Sequence, residues 1–144
     1  MSLRGAQHAI GDVSADAERA KVEGLLRELL SLPEIVFPGA KQPLQVPDNQ
    51  GVYIIRHPDK TVLRVGRTHR GKAGLRQRLN DHLHNQSSFS VKYLDKKGSV
   101  LREGYTFQYI EVSDHRKRAL LEYLATAWLC PKHLGLGLAK DQED

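Results

Sequence analysis

Cysteine is almost missing from this chain of 144 residues: Cys130 is the only one. One cysteine excludes an internal disulfide and a thiolate zinc cluster, and its place at the end of an apolar helical stretch suggests a packed thiol without chemistry. Also missing is any apolar run that approaches the span of a bilayer, and the N-terminus has no cationic start followed by an apolar core and a small-residue cleavage site. Neither membrane insertion nor secretion is therefore indicated, and a cytoplasmic protein is expected. A hydrophobic content of 40% in this length supports one modest core, hence one domain.

Acidic residues are scarce in one segment. Between Arg64 and Arg102 stand ten lysines and arginines against two acids, Asp81 and Asp95, although the whole chain carries a net charge of only +5. Such a segment attracts a polyanion, with an affinity that falls as salt rises. A solvated basic face is the plainer reading of a charge run. The polyanion reading ranks higher here because the basic residues interleave with the strand and helix described next.

Residues 1 to 13 have no period and read as a mobile tail. From Ser14, a plausible N-cap with Asp16 and Glu18 behind it, Val22, Leu25, Leu26, Leu29 and Leu30 recur at helical spacing until Pro33. Pro38, Pro43 and Pro47 then forbid a helix or a central strand, so residues 14 to 48 read as a helix that docks on the core or makes a dimer contact, plus a proline-rich connection. Residues 51 to 56 and 61 to 67 are rich in β-branched and aromatic side chains and flank the turn His57-Pro58-Asp59-Lys60, which predicts a hairpin. After a Gly/Lys-rich loop, Leu75, Leu79 and Leu83 share one helical face, with Arg78 and His82 four apart on an adjacent one. A polar loop, a third alternating strand over 105 to 112 and a helix from about His115 to Leu129 complete the order. That helix is expected to be capped by Ser113 or Asp114 and to bury Ala119, Leu120, Tyr123, Leu124, Ala127 and Trp128. Residues 139 to 144 read as an acidic tail.

Four features in this order, Gly51-Val52-Tyr53, Arg64-Val65-Gly66, Arg78-x-x-x-His82 and the downstream Glu122, resemble the GIY-YIG nuclease domain over residues 49 to 138. The resemblance implies a small α+β fold: a central three-stranded antiparallel sheet flanked by helices, here with an extra N-terminal helix. It also implies a metal-dependent endonuclease that hydrolyses phosphodiester bonds in DNA, duplex or branched, by activated-water attack. One divalent ion, Mg²⁺ or Mn²⁺, would serve it.

By the same resemblance Tyr53 would stand near the attacking water. A free phenol is a poor base at neutral pH, so that role needs cations or metal-bound water beside it; a core tyrosine is the plainer alternative. Arg78 would meet the phosphoryl oxygens, where a guanidinium offers paired donors. His82 would bind phosphate or move a proton, or else merely cap the helix surface. Glu122 would hold the metal, since a carboxylate in an apolar stretch needs a partner; an ion pair to Arg118 or to an arginine on the other helix would also supply one. Arg67, Thr68, Arg70, Lys72 and Arg76 are the candidate nucleic-acid contacts.

Two departures from the family pattern stand out. Arg64 replaces the usual second tyrosine and cannot act as a base, although it could hold a phosphate as part of the catalytic set. No asparagine follows the glutamate helix between residues 131 and 139. No separate DNA-binding module fits in this length, so a protein partner or homodimer could supply specificity. The alternatives are a catalytically reduced nucleic-acid-binding module of the same fold, supported by Arg64, and a protein-interaction domain of a larger complex.

Overall fold

A computed structural model describes residues 2 to 71 and 73 to 136, with side chains from residue 14 onward. Lys72 and the acidic tail therefore lie outside the described residues. The architecture is mixed α+β, with an antiparallel sheet between two helical layers. The elements are α1 (Ser2–Ser31), β1 (Ile35–Val36), β2 (Gly51–Arg56), β3 (Val62–Arg67), α2 (Leu75–Leu83), β4 (Thr106–Glu111) and α3 (His115–Leu129). A π-helical turn at Phe89–Tyr93 and a 3-10 turn at Gly98–Arg102 occupy the segment expected to be a polar loop. They are ordered by burial of Phe89 and Leu101.

The sheet has four strands rather than three, in the order β1-β4-β2-β3. The extra strand is the exposed pair Ile35–Val36, which lies between Pro33 and Pro38 and hydrogen-bonds to the edge of β4. Its position agrees with the rule that proline-bounded segments join sheets only at an edge.

β2 and β4 are the inner strands, and successive side chains on a strand face opposite ways. Tyr53 and Ile55 enter one core with Leu75, Leu79, Leu83, Phe89 and Phe107. Val52 and Ile54 enter a second with Val22, Leu26, Leu29, Leu121 and Ala125. So α2 covers one face while α1 and α3 cover the other.

The N-terminal helix is part of that second core. Val22, Leu26 and Leu29 are buried, and Gln108 of β4 donates from Nε2 to the carbonyls of Leu32 (2.7 Å), Leu30 (3.3 Å) and Leu29 (3.4 Å). They stand at or just past the end of α1, where carbonyls lack full intrahelical pairing; Leu29 O also accepts from the Leu32 N–H at 3.3 Å. Arg56 holds the Gln108 amide in turn, through Nε to Oε1 at 3.1 Å. The backbone is helical from Ser2, so Ser14 lies inside α1 and is not its cap.

α3 begins as expected, with Asp114 accepting from the Lys117 N–H at 2.8 Å. Its buried face is different from the expected one. Arg118, Leu121 and Ala125 point inward with Glu122 beside them, whereas Tyr123 and Trp128 are 60% and 69% exposed. Arg118 is the largest fully buried side chain: it donates to the carbonyls of Thr68 (3.0 Å), Val112 (2.9 Å) and Ser113 (3.1 Å), tying the ends of β3 and β4 to the start of α3. Cys130 is exposed rather than packed, because it occupies the left-handed position that ends the helix, with φ of 47°.

Candidate functional site

The geometry starts at β3, which is the last strand of the sheet. Cross-strand neighbours share a face, so the pairs Tyr53↔Gly66 and Ile55↔Arg64 lie toward α2, while Val52↔Arg67 lies toward α3. At a free edge, side chains from the two faces can reach around and meet. Residues that follow α3 cover one end of that edge, through Lys132 N–H to Val62 O (3.2 Å) and His133 N–H to Leu63 O (2.9 Å). The same segment brings Gly135 against Arg64: a Cβ on Gly135 would stand 3.0 Å from the guanidinium carbon, at a backbone φ of +66° that also favours glycine.

Tyr53 and His82 form a buried pair. The phenol oxygen and His82 Nε2 are 2.7 Å apart, and both residues are fully buried. Gly66 makes this possible, since a Cβ there would lie 3.0 Å from Tyr53 Cε1 and nearer still to the hydroxyl. On the far side, His82 Nδ1 is 2.7 Å from Ser87 Oγ. Ser87 Oγ donates to Ser90 Oγ at 3.3 Å, and Ser90 Oγ donates to the His82 carbonyl.

Each hydroxyl carries one proton, so this chain assigns the tautomer. Ser87 spends its proton on Ser90, His82 Nδ1–H then donates to Ser87, and Nε2 is left as an acceptor for the Tyr53 hydroxyl. Burial, reinforced by the fields of Arg78, Arg64 and His133, holds the His82 imidazole well below its ordinary range and keeps it neutral. His82 is thus a core residue, neither a surface cap nor a direct phosphate contact.

Glu122 faces the same region from α3. Arg67 NH1 donates to its Oε1 at 2.8 Å, with 15% and 19% of the two side chains exposed. The partner is an arginine of β3 and not Arg118, whose donors go to backbone carbonyls. Burial pushes the Glu122 carboxyl up from its ordinary range, against the opposing pull of Arg67, Arg64 and Arg78.

Arg64 and Arg78 are therefore common electrostatic neighbours of His82 and Glu122, which joins the two halves of the site. Arg78 approaches Asp81 at 3.8 Å, and Arg64 makes no direct ion pair with a described residue, acting on Glu122 through its field alone. The Nε–H groups of Arg64, Arg67 and Arg78 are all buried with no acceptor among the described residues. Buried donors are rarely left this way in folded proteins.

Beside Arg78 opens a cleft of about 360 Å³ lined by Thr68, His69, Ala73, Gln77, Arg78 and Asp81. Burial and the charges of Arg67, Arg78 and Arg118 lower the His69 imidazole from its ordinary range. No known protein family, curated protein or solved structure matches the chain. What can be argued about its chemistry rests on this geometry.

The structure brings together Tyr53, Arg64, Arg67, Arg78, His82 and Glu122. It does not add Arg76, whose guanidinium turns to the Val46 carbonyl at 3.5 Å. Thr68 is buried, its hydroxyl accepting from the Gly51 N–H at 2.9 Å, and Arg70 lies exposed on the loop. Lys72 falls outside the described residues. Ser87, Ser90, Arg118 and His133 belong to the site or its support without a local motif that announces them.

Among the described residues no group of three or more His, Cys, Asp or Glu side chains is placed to hold a metal. Glu122 Oε2 accepts no hydrogen bond from a described residue. One carboxylate oxygen fits a hard cation that shares its shell with water and substrate phosphate.

Proposed function

We propose that this protein is a metal-dependent endonuclease that hydrolyses phosphodiester bonds of DNA at the free edge of β3. The observation that carries the reading is the gathering of Arg64, Arg67 and Arg78 around one half-buried carboxylate, each with an unused buried donor. Guanidinium groups held in this state are suited to a tetrahedral anion with several acceptor oxygens.

A backbone phosphate in this reading sits between Arg78 and Arg64, where their charge also favours the transition state. Arg67 keeps its hold on Glu122 Oε1, and Glu122 Oε2 would hold Mg²⁺ or Mn²⁺. A bound cation there supplies Lewis-acid polarisation of the phosphoryl oxygen. Water attacks phosphorus: a new P–O bond forms, the ester P–O bond breaks, and the departing oxygen takes a proton from solvent. The water's proton goes to the Tyr53 oxygen as the Tyr53 proton passes to His82 Nε2, the acceptor position left by the serine chain. Tyr53 is enclosed in the present conformation, so this step requires the β3 edge beside Gly66 to part from the residue 131 to 136 segment.

Supercoiled plasmid nicking tests the reading. The wild type should nick with Mg²⁺ or Mn²⁺ and stop with EDTA, Glu122→Gln and Arg78→Ala should be inactive while folded, and Tyr53→Phe should lose about 10²-fold or more. Nicking that survives in Glu122→Gln would overturn it.

A second reading, a nucleic-acid-binding module without turnover, is favoured by the complete burial of Tyr53 and His82 and by the Arg67–Glu122 ion pair. It predicts salt-dependent DNA binding that ignores Glu122→Gln and no nicking under any metal condition.

A further inference from the structure

Tyr123 is the next residue after Glu122 on α3, yet it is 60% exposed. Its ring is not loose. The Arg67 guanidinium carbon lies 5.3 Å from the ring centroid, while NH1 of the same arginine donates to Glu122 at 2.8 Å. Arg67 thus bridges the carboxylate and one part of the phenol ring, fixing the ring by a cation–π contact beside the basic cluster. The ring also forms a wall of a cleft of about 400 Å³ between α1 and α3, lined by Ala15, Val22, Leu120 and Leu124 together with Glu18 and Arg19.

An oriented aromatic ring, an apolar slot and neighbouring guanidinium groups are the three parts that hold an unstacked nucleotide: the ring and slot take the base, the arginines its phosphate. A paired duplex keeps its bases stacked inside and has nothing to lay on this ring. We infer that Tyr123 and Arg67 form a stacking shelf for one unpaired nucleobase, so that the preferred ligand is DNA with a single-stranded, bulged or branched element. This rests on the reading that the arginine cluster binds a DNA phosphate, and it goes beyond it by naming which DNA is preferred.

The test is fluorescence anisotropy in EDTA, where no cleavage occurs, with the full chain and three labelled DNAs: a 12-nucleotide single strand, a blunt hairpin duplex, and the same duplex with a one-nucleotide bulge. Wild type should bind the single strand and the bulged duplex more tightly than the blunt duplex. Tyr123→Ala should weaken those two on the order of tenfold and change blunt-duplex binding less than about twofold, whereas Tyr123→Phe, which keeps the ring, should match wild type. Sedimentation velocity of wild type and Tyr123→Ala runs alongside, expected to be identical.

The shelf is overturned if Tyr123→Ala leaves all three affinities unchanged, weakens all three equally, or instead alters the sedimentation of the chain, which would make this face a contact between copies. If DNA binding is present and falls in Arg78→Ala while Tyr123→Ala has no effect, only the shelf fails. If the wild type binds none of the three DNAs, the reading of the arginine cluster fails as well.

Discussion

Replacing Gly66 by alanine tests the architecture of the Tyr53–His82 pair directly. A Cβ at that position would lie 3.0 Å from Tyr53 Cε1 and nearer to the ring's hydroxyl end, whereas non-bonded carbons settle about 3.5–4.0 Å apart. Gly66 has no positive φ, so the ring is the obstacle and the backbone is not. Tyr53 has no room to withdraw: it is fully buried in the core with Leu75, Leu79 and Phe89. Overpacking of this kind costs about 1–3 kcal/mol. Moving the phenol also strips His82 Nε2 of its partner, and a buried polar atom left unsatisfied costs about 1–3 kcal/mol more. A total of about 2–6 kcal/mol is a large part of a domain stability of roughly 5–15 kcal/mol. Urea unfolding followed by circular dichroism reads it, and the control is the same substitution in a Tyr53→Leu background. There the ring is gone, so Gly66→Ala should cost at least about 1 kcal/mol less than in the wild type. Equal losses in the two backgrounds, or a loss under about 0.5 kcal/mol in the wild type, would refute the close approach of strand and ring.

Three further outcomes follow from named contacts. His82 and His69 both have lowered pKa values in the folded chain, so their contribution to stability is complete above the unfolded value near 6.5 and is lost as pH falls from there toward the folded values. Stability measured by urea titration should therefore decline from pH 6.5 to pH 5, by at most about 1.4 kcal/mol per pH unit for each histidine, and a flat profile would contradict the burial of His82. Arg118→Lys should lose about 2–4 kcal/mol, because one ammonium cannot replace a planar fork that reaches the carbonyls of Thr68, Val112 and Ser113; thermal melts within a degree of wild type would refute that role. Cys130 should react with a thiol reagent in the native protein at close to its rate in denaturant, whereas a packed thiol would react only after unfolding.

Much of the fold was legible because local chemistry and tertiary packing agree there. Residues 51 to 56 are rich in β-branched and aromatic side chains and form an inner strand, and Asp114 caps α3 as its short acceptor side chain allows. Ile35 and Val36 gave no signal, since an edge pair is held by backbone hydrogen bonds and both side chains stay exposed. The buried face of α3 was misread for a physical reason: Arg118 and Glu122 occupy it, so the hydrophobic period follows the flank that only half-buries against α1. The inward turn of His82 had a signal in the spacing, because it stands three residues after Leu79 on the Leu75, Leu79 stripe. The pairing of Glu122 with Arg67 spans 55 residues, and no local pattern encodes it. Ser87 and Ser90 are equally silent, since a serine in a loop declares no partner until the loop folds over His82.

Arg64 decides how the site should be understood. A tyrosine at that position would add a phenol at the edge of β3; the arginine adds a charge that opposes protonation of His82 and supports ionisation of Glu122. The first effect keeps His82 neutral, with Nε2 as acceptor of the Tyr53 hydrogen bond, and in the proposed reading the second would keep a carboxylate ready for a cation despite its burial. Neither effect stabilises the fold. Three arginines around one carboxylate, with buried donors unused, are a poorer core than apolar side chains of the same volume would be. Such an arrangement is costly to keep without an anion to complete it. In the proposed reading a DNA phosphate would supply the missing acceptors, which is why the substitution that departs most from the nuclease pattern supports a phosphate at this edge.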